Sequence, residues 1–395
     1  MHRLHARRTL AWVGVAIGVA AAFVVLPPVQ ARSPIWPVVI GLVALAIGIG
    51  SWLRGERKVG GYAVAAGMFG FLIGYLATRS SIGHLEAVVV WGALLASTLR
   101  FATPLVFASL GGLFSERSGV INIGLEGMML IGAFFAVWGA DVTGAWTLGL
   151  LIGKLAGGVT ALVYAFFAVT LRSDQIVGGT AINFLALGVT GYLYVDIYGS
   201  TGTPTDLSTI PDISLAFLDD IPFVGNFLFD VLGLLNLMSW LAIALVFVTF
   251  IVVFKTPLGL RIRAVGEQPR AADTVGISVY AVRYGAVICS GTLAAAGGAY
   301  VSLGFVNSFS ENMIAGRGFI ALAALIFGNW RPYGAAAACL LFGFSSALAR
   351  SFQEYSTSVS TLFEALPYVL TLIAVAGVIG RSIPPAAVGR PYKKS

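Results

Sequence analysis

Long apolar segments, separated by short polar ones, recur along almost the whole chain. Most are about 17 to 25 residues long, enough at 1.5 Å per residue to cross a hydrocarbon core of about 30 Å. They lack the alternation of barrel strands, and backbone groups in lipid must pair internally, so they are predicted to be helices. The sequence thus predicts an all-α, polytopic transmembrane helical bundle of 10–12 spans, and Gly318–Phe327 is short for a full one. The candidates are Leu10–Leu26, Ile35–Leu53, Gly61–Ala77, Val88–Leu113, Gly119–Gly139, Trp146–Leu171, Ile176–Val195, Leu237–Phe254, Tyr280–Leu303, Gly318–Phe327, Gly334–Ala349 and Leu366–Gly380.

Composition agrees with a membrane protein and argues against several other classes. Hydrophobic residues make up 58% of the 395 positions and charged residues only 10%, and the mean hydropathy is +0.91, which excludes a water-soluble domain. The formal charge is +7, but the basic residues are scattered over short loops, so no nucleic-acid partner is expected. Cys289 and Cys339 lie in apolar segments, and His2, His5 and His84 form no ligand-spaced cluster. Neither a disulfide nor a metal site is predicted.

The N-terminal segment allows two interpretations. Basic residues precede the apolar run Leu10–Leu26, and Val29-Gln30-Ala31 resembles a signal-peptidase site. A cleaved signal peptide is one interpretation, and Arg7-Arg8 is a weak match to a twin-arginine signal. We favour an uncleaved first helix, because the run is longer than the usual signal core and further spans follow at once.

The distribution of basic residues predicts the orientation. If the N-terminus is cytoplasmic, strict alternation of the spans places most of the 24 basic residues on the cytoplasmic side. The loop Asp196–Asn236 contains six aspartates, with no Lys or Arg between Arg172 and Lys255, so it is predicted to face outward. The basic residues on the inner side are Arg3, Arg7, Arg8, Arg54, Arg57, Lys58, Arg117, Arg172, Lys255, Arg261, Arg263, Arg270, Arg283, Arg331, Arg381, Arg390, Lys393 and Lys394.

Glycine is abundant, with 49 residues. Spacings of four, as in Gly14/Gly18, Gly70/Gly74 and Gly153/Gly157, favour close approach of helix backbones in lipid.

Polar residues interrupt the apolar pattern most clearly at Gly111–Met128. Glu116 and Arg117 fit the cytoplasmic surface, whereas Asn122 and Glu126 lie four residues apart and are predicted to share one face of the next helix. A carboxylate in the bilayer costs on the order of 3 kcal/mol, so Glu126 should face a polar partner or a watery cavity. Glycines in this stretch also permit a broken or re-entrant helix. The alternative is a buried polar pair that only fixes helix packing.

This segment carries a family resemblance. Residues Glu116–Phe134, ERSGVINIGLEGMMLIGAF, closely resemble the signature of permease subunits of ABC importers, in the branch for nucleosides and simple sugars. That branch is related to the ribose-type and branched-chain amino-acid permeases. The resemblance extends from about Val88 to about Gly380, so it implies N-terminal extra transmembrane helices in 1–87, a permease domain in 88–380 and a cytoplasmic C-terminal tail in 381–395.

A second segment, Lys255–Ile277, is the longest charged loop assigned to the cytoplasm. Pro269 suits the first position of a helix and Gly276 its end, so Pro269–Val275 is predicted to be a short surface helix in which Ala271 and Ala272 offer a small-residue face. It resembles the coupling helix that docks on the ATPase subunit of such importers. The alternative is a plain solvated loop. The residues assigned to coupling are Gly266, Glu267, Pro269, Arg270, Ala271, Ala272 and Gly276.

A third set of residues fits a nucleobase and ribose. Phe305, Asn307, Phe309 and Glu311 follow an apolar span on the predicted outer side, and the span from Ile176 contains two further polar residues. Aromatic faces and amides suit flat, neutral, hydrogen-bonding solutes, although interfacial aromatics that anchor a helix would look the same. Lys154 and Arg100, each within a span, are either pathway residues or partners of carboxylates such as Glu126. The predicted substrate pathway comprises Asn122, Glu126, Thr180, Asn183, Phe305 and Asn307.

The chain lacks the motifs of an energy-coupling or catalytic subunit. Gly153-Lys154 has Leu148 where a P-loop needs glycine and is followed by Leu155, so ATP is expected to be used by a partner subunit and no cofactor is expected here. No catalytic motif or metal-ligand set is found, so the chain is predicted not to be an enzyme. An ion-gradient-driven secondary transporter with Glu126 as the titrating group is the main alternative. A membrane-embedded enzyme is the third.

The resemblance also implies partners and a location. Such a permease pairs with an identical or related permease, binds cytoplasmic ABC ATPase subunits and receives substrate from an extracytoplasmic solute-binding protein or lipoprotein. We therefore expect a multi-pass protein of the plasma or inner membrane with both termini in the cytoplasm.

Overall fold

The computed structural model describes residues 10–18, 20–21, 35–79, 90–199, 201–204, 206–222, 225–353, 365 and 383–393. Regular structure in these ranges is almost all helical, which confirms the predicted class. Predictions about residues 22–26, Val29-Gln30-Ala31, the boundary at residue 87 and the span Leu366–Gly380 lie outside them. The helices are α1 Ile35–Leu53, α2 Arg57–Arg79, α3 Trp91–Arg117, α4 Leu125–Thr143, α5 Trp146–Ala165, α6 Gln175–Tyr198, α7 Gly225–Leu228, α8 Leu237–Lys255, α9 Pro257–Glu267, α10 Pro269–Thr274, α11 Val279–Tyr300, α12 Arg317–Phe327 and α13 Pro332–Gln353.

Seven of the described helices are long and apolar enough to cross a membrane. They are Trp91–Arg117, Leu125–Thr143, Trp146–Thr170, Gln175–Tyr198, Leu237–Lys255, Val279–Phe305 and Pro332–Ser351, where α5 and α11 continue into π-helical turns. Three shorter apolar helices, Val38–Leu53, Val59–Phe71 and Arg317–Phe327, accompany them. The chain is therefore a polytopic helical membrane protein.

The chain divides into two compact units. The first comprises the chain up to Leu94 together with Ser345–Arg381. Within it, α1 and α2 pack so closely that a Cβ atom on Gly48 would lie 2.6 Å from the backbone nitrogen of Val64. At Gly18 a Cβ atom would lie 2.6 Å from the carbonyl carbon of Ala66. The predicted role of glycine in close packing is confirmed here.

The second unit comprises Leu95–Phe344 and the C-terminal segment from Ser382. Its centre is formed by α4, α5 and α11, and most residues of α4 and α11 are buried. Glycine again sets the spacing: a Cβ atom on Gly153 would lie 2.6 Å from the carbonyl oxygen of Gly132, and one on Gly291 would lie 2.7 Å from that of Gly157. The hydrophobic effect does not drive helices together in lipid, so van der Waals contact between these closely spaced backbones stabilises their association.

The chain is not helical between α3 and α4. Helix α3 ends at Arg117 and α4 begins at Leu125, so the predicted single span Gly119–Gly139 is wrong at its start. Gly119 has a φ of +92°, which stops the helix, and the Ser115 hydroxyl donates to the carbonyl oxygen of Val120 at 2.7 Å. A broken helix was one of the predicted possibilities, and it is confirmed.

The segment between α6 and α8 contains a two-stranded antiparallel sheet that the sequence pattern did not indicate. Strand β1, Asp212–Ser214, pairs with β2, Leu234–Asn236. Helix α6 extends to Tyr198, so Asp196 belongs to the helix and not to the loop as expected. The six aspartates are nevertheless all exposed, namely Asp196, Asp206, Asp212, Asp219, Asp220 and Asp230.

Candidate functional site

The non-helical residues Ser118–Gly124, which we call the signature segment, are held by side chains of α5 and α6. The Ile121 N–H donates to Oε1 of Gln175 at 2.8 Å, and the Tyr164 hydroxyl donates to the Ile121 carbonyl. Asn183 donates its Nδ2 to the carbonyl oxygen of Ile123 at 3.0 Å. Three backbone groups of this non-helical segment are thus paired by side chains of neighbouring helices.

Asn122 lies inside this segment and not on a helix face, so the expectation that it shares one face with Glu126 is wrong. It is fully buried, and its Nδ2 donates to Oγ of Ser290 on α11 at 2.9 Å. Asn183 accepts the Gly127 N–H at 2.8 Å through Oδ1, so it fixes the start of α4 as well as the segment. In this conformation both amides join helices, and Asn122 is closed off from open space.

Glu126 binds the N-terminus of α12. Its Oε1 accepts the Gly316 N–H at 2.7 Å, and its Oε2 accepts the Gly318 N–H at 2.6 Å. The carboxylate therefore pairs with two orphan donors at the positive end of the helix dipole. A Cβ atom on Gly318 would lie 2.8 Å from Oε2, so glycine is needed for this approach. Glu126 therefore has the polar partner that was predicted, and this partner consists of the backbone N–H groups of Gly316 and Gly318.

The other predicted pathway residues lie elsewhere. Thr180 is exposed and donates to the Ile176 carbonyl of its own helix at 2.9 Å. The ring of Phe305 packs edge-on against Phe101 at 5.2 Å, and Asn307 is exposed with a φ of +59°. The contacts thus connect Asn122, Asn183 and Glu126 around the start of α4, and they place Phe305 at the end of α11.

Aromatic rings cluster near that end of α11. Phe309 is buried and packs edge-on against Phe134 at 5.1 Å and at a tilt against Tyr194 at 5.5 Å. Arg100 donates its Nη2 to the Leu234 carbonyl at 2.9 Å, so its structural partner is the sheet and not Glu126. Lys154 is half-buried in α5.

A polar clasp that sequence reasoning missed joins the end of α3 to Trp330. Glu116 is buried within the protein, and its position at the cytoplasmic surface of the membrane stays a prediction. Its Oε2 accepts the indole N–H of Trp330 at 2.5 Å, while Arg117 donates to the Trp330 carbonyl at 3.0 and 2.7 Å. Adjacent residues thus bind the indole N–H and the backbone carbonyl of one tryptophan, across a sequence separation that local patterning does not reveal.

Trp330→Phe should destabilise the protein by about 1 to 3 kcal/mol, because it leaves a buried carboxylate without its indole donor. Trp240→Phe is the matched control, since the buried indole N–H of Trp240 has no hydrogen-bond partner in the described residues. Thermal unfolding in detergent should show a lower midpoint for the first variant than for the second. Equal midpoints would show that the indole hydrogen bond contributes nothing.

The predicted short surface helix, Pro269–Val275, is confirmed to within one residue as α10, Pro269–Thr274. Its role in coupling stays a prediction. Pro269 occupies its first turn, where a missing N–H is tolerated. Gly276 follows with a φ of +83°, and its N–H donates to the Asp273 carbonyl at 3.0 Å. The preceding α9 begins at the N-cap Thr256, whose hydroxyl accepts the Gly259 N–H at 3.2 Å.

Exposure divides the residues assigned to coupling into two groups. Arg270 and Ala271 are exposed, whereas Ala272 is only 3% exposed. Successive residues of a helix point about 100° apart, so the expectation of one face shared by both alanines is wrong. Gly266 is also buried, against the Arg117 carbonyl. The exposed residues of the assigned set are Glu267, Arg270, Ala271 and Gly276, and Pro269 is half-buried.

The sequence matches a family model described as the permease component of the branched-chain amino acid transport system, over residues 94–375. The chain belongs to this permease family. It is 42% identical over 320 residues to the guanosine ABC transporter permease protein NupQ of Bacillus subtilis, covering 78% of this chain and 99% of that protein. It is 40% identical over 311 residues to the nucleoside ABC transporter permease protein NupC of Lactococcus lactis, covering 76% and 97% of the two chains. A putative glucose ABC transporter permease protein of Haloferax volcanii is 37% identical over 270 residues, 67% of this chain and 79% of that one. No solved structure matches.

Membership of the permease family makes this chain a transport protein and not an enzyme, and it implies ATPase and solute-binding partners. The signature segment, Glu126 and α10 all lie within the matched residues. The described C-terminal residues 383–393 lie beyond them.

Proposed function

We propose that this permease forms the membrane pathway of an ATP-driven importer of nucleosides and that α10 couples it to a separate ATPase subunit. Relatives named for guanosine and nucleosides, at 42% and 40% identity over most of both chains, support the substrate class. The observation that carries the coupling role is the exposed pair Arg270 and Ala271 on a helix whose other side is buried. This leaves a docking surface on a firmly held element.

A continuous set of contacts links that surface to the signature segment. Helix α9 connects directly to α10, and its Gly266 packs on the Arg117 carbonyl at the end of α3. The signature segment follows Arg117 and leads into α4, where Glu126 holds α12. Closure of the ATPase subunits would move α10, and this packing would carry the shift to the helices that line the pathway.

The partner subunits supply what this chain lacks. ATP is bound by the ATPase, since no phosphate-binding P-loop occurs in this sequence. A second permease, identical or related, completes the pathway, and an extracytoplasmic binding protein or lipoprotein delivers the substrate. Pathway residues are drawn from the predicted set, with Thr180 and Asn307 offering exposed polar groups and Asn122 and Asn183 positioning the helices around them.

The termini are proposed to be cytoplasmic, with the aspartate-rich loop outside. Asp206→Cys and Asp220→Cys should each react with an impermeant thiol reagent on intact cells, because both positions are exposed. The unsubstituted protein is the background control, since Cys339 is buried and Cys289 only partly exposed. Labelling that needs cell lysis would reverse the topology.

The substrate class is tested by uptake in cells that carry the whole transport system, with and without this chain. Labelled guanosine should accumulate, and labelled glucose and ribose should not. Accumulation should persist when a protonophore collapses the ion gradient and should cease when the ATPase lacks its P-loop lysine. Sugar uptake alone would refute the nucleoside assignment, and gradient-dependent uptake would favour the secondary transporter.

A further inference from the structure

The C-terminal residues Ile383–Lys393, which we call the strap, bind to the elements on either side of the coupling helix. They form a short extended segment with one turn and belong to the second compact unit. Four backbone N–H groups of the strap donate to other elements: Ile383 to Asn329 Oδ1 at 2.9 Å, Ala386 to Glu267 Oε2 at 3.2 Å, Ala387 to the Gly266 carbonyl at 2.8 Å, and Gly389 to the Gly119 carbonyl at 3.2 Å. In the other direction, Nη1 of Arg283 donates to the Arg390 carbonyl at 3.1 Å. The strap thus touches α9, the signature segment, α11 and the end of α12 together.

Tyr392 anchors the strap beneath α10. It is 7% exposed and shares a hydrophobic cluster with Val265, Ala272 and Val279. Its ring packs edge-on against Tyr280 at 5.9 Å. Ala272 lies on the buried side of α10, so Tyr392 supports that side of the helix while Arg270 and Ala271 stay exposed. Burial, together with the adjacent Asp273 carboxylate, raises the pKa of Tyr392, so the phenol stays neutral.

Arg283 provides the second anchor. It lies in α11, within the predicted span Tyr280–Leu303, and is only 1% exposed. Its Nη1 donates to the strap, whereas Nε and Nη2 have no hydrogen-bond partner in the described residues. A Cβ atom on Gly119 would lie 2.9 Å from Nη2, so the strap and the signature segment together enclose this cation. Removing the strap would take away the one hydrogen-bond acceptor that the described residues offer to the Arg283 guanidinium. A buried charge without a partner is costly.

The strap also adds charge to the exposed side. Arg390 and Lys393 are exposed, as is Arg270 of α10, two residues before the Ala272 that packs with Tyr392. A partner with an acidic rim would meet positive charge from the strap and from α10 on one surface.

We propose that the strap is part of the ATPase interface: Tyr392 and Arg283 are positioning residues that hold α10 against the signature segment, and Arg390 and Lys393 extend its docking surface toward an acidic ATPase rim. The proposal rests on the proposed function, because it concerns the same coupling site. It predicts that altering the strap weakens ATPase binding and the response to substrate while the pathway helices stay folded.

The test uses the complete complex of permease, ATPase and binding protein in proteoliposomes. Tyr392→Ala should weaken ATPase association by about tenfold or more, because truncating a buried aromatic side chain is costly. It should also lower the ratio of substrate-stimulated to basal ATP hydrolysis. Tyr392→Phe, which keeps the ring, should restore both, and Val159→Ala, at a residue of α5 that is 61% exposed and lies outside the strap, is the control. A Gly/Ser segment of equal length in place of residues 383–395 should behave as Tyr392→Ala.

The outcomes separate the two proposals. If the wild-type permease binds the ATPase and the Gly/Ser variant binds it and imports equally well, the strap proposal is overturned and the proposed function stands. If the wild-type chain itself neither binds the ATPase nor imports nucleosides, both fail. Loss of the thermal transition in Tyr392→Ala would indicate general unfolding of that variant. In that case the test is the double variant Arg390→Glu, Lys393→Glu, and unchanged ATPase binding by it would overturn the proposal that the strap extends the docking surface.

Discussion

Replacing Glu126 with glutamine should lower the free energy of unfolding by about 2 to 4 kcal/mol, because it removes a charge-assisted contact and leaves a buried N–H unpaired. The carboxylate accepts from Gly316 and Gly318 at once. A glutamine side chain can accept one of these bonds, but its NH₂ group would face the second donor. The start of α12 should loosen, and uptake per inserted molecule should fall with it.

Thermal unfolding in detergent and guanosine uptake, normalised to the amount in the membrane, measure the two effects. Asp219→Asn is the matched control, because Asp219 is an exposed carboxylate in the second unit and lies outside the predicted substrate-binding residues. A Glu126→Gln protein with wild-type stability and wild-type uptake would show that the carboxylate does not hold α12. Loss of uptake at full stability would instead place Glu126 in the pathway itself.

Two neighbouring alanines of α10, the proposed coupling helix, should respond differently to substitution by tryptophan. Ala271→Trp adds bulk to the exposed side of α10, so it should block docking of the ATPase and abolish uptake without changing the unfolding midpoint. Ala272→Trp forces an indole into a site that is 3% exposed, against Val265 and Tyr392. Overpacking of this kind costs about 1 to 3 kcal/mol or more, so that variant should be unstable.

Co-purification with the ATPase, membrane level and unfolding midpoint distinguish the two variants. Arg270→Glu offers an independent probe of the same surface, since it should weaken binding to an acidic rim in a salt-dependent way while leaving stability unchanged. Ala271→Trp that still co-purifies with the ATPase and imports normally would remove α10 from the coupling interface. Equal instability of both tryptophan variants would contradict the assigned orientation of the helix.

Local sequence patterns predicted those features that depend only on consecutive residues. The apolar runs predict the helices because a bilayer leaves no other way to pair the backbone. Pro269 and Gly276 bracket α10 because proline suits a first turn and Gly276 has a positive φ. The signature residues identified the family for the same reason, since they are consecutive.

Tertiary contacts decided what each polar residue does. Glu126 was expected to need a polar partner, and that partner is the backbone at the start of α12. The two lie about 190 positions apart in the chain, and sequence periodicity contains no information at that distance. Asn122 fell outside a helix because Gly119 adopts a positive φ, which the sequence permits without requiring.

The sequence by itself determined the membrane environment, the helical class, the permease family and the position of the short helix α10, because each depends on consecutive residues in a known solvent. Only the tertiary structure showed that Ala271 is exposed and Ala272 buried, that Glu116 and Arg117 hold Trp330, and that the strap closes over Arg283. These features depend on which helices meet, and the burial of a polar group is settled by neighbours that lie far away in the chain.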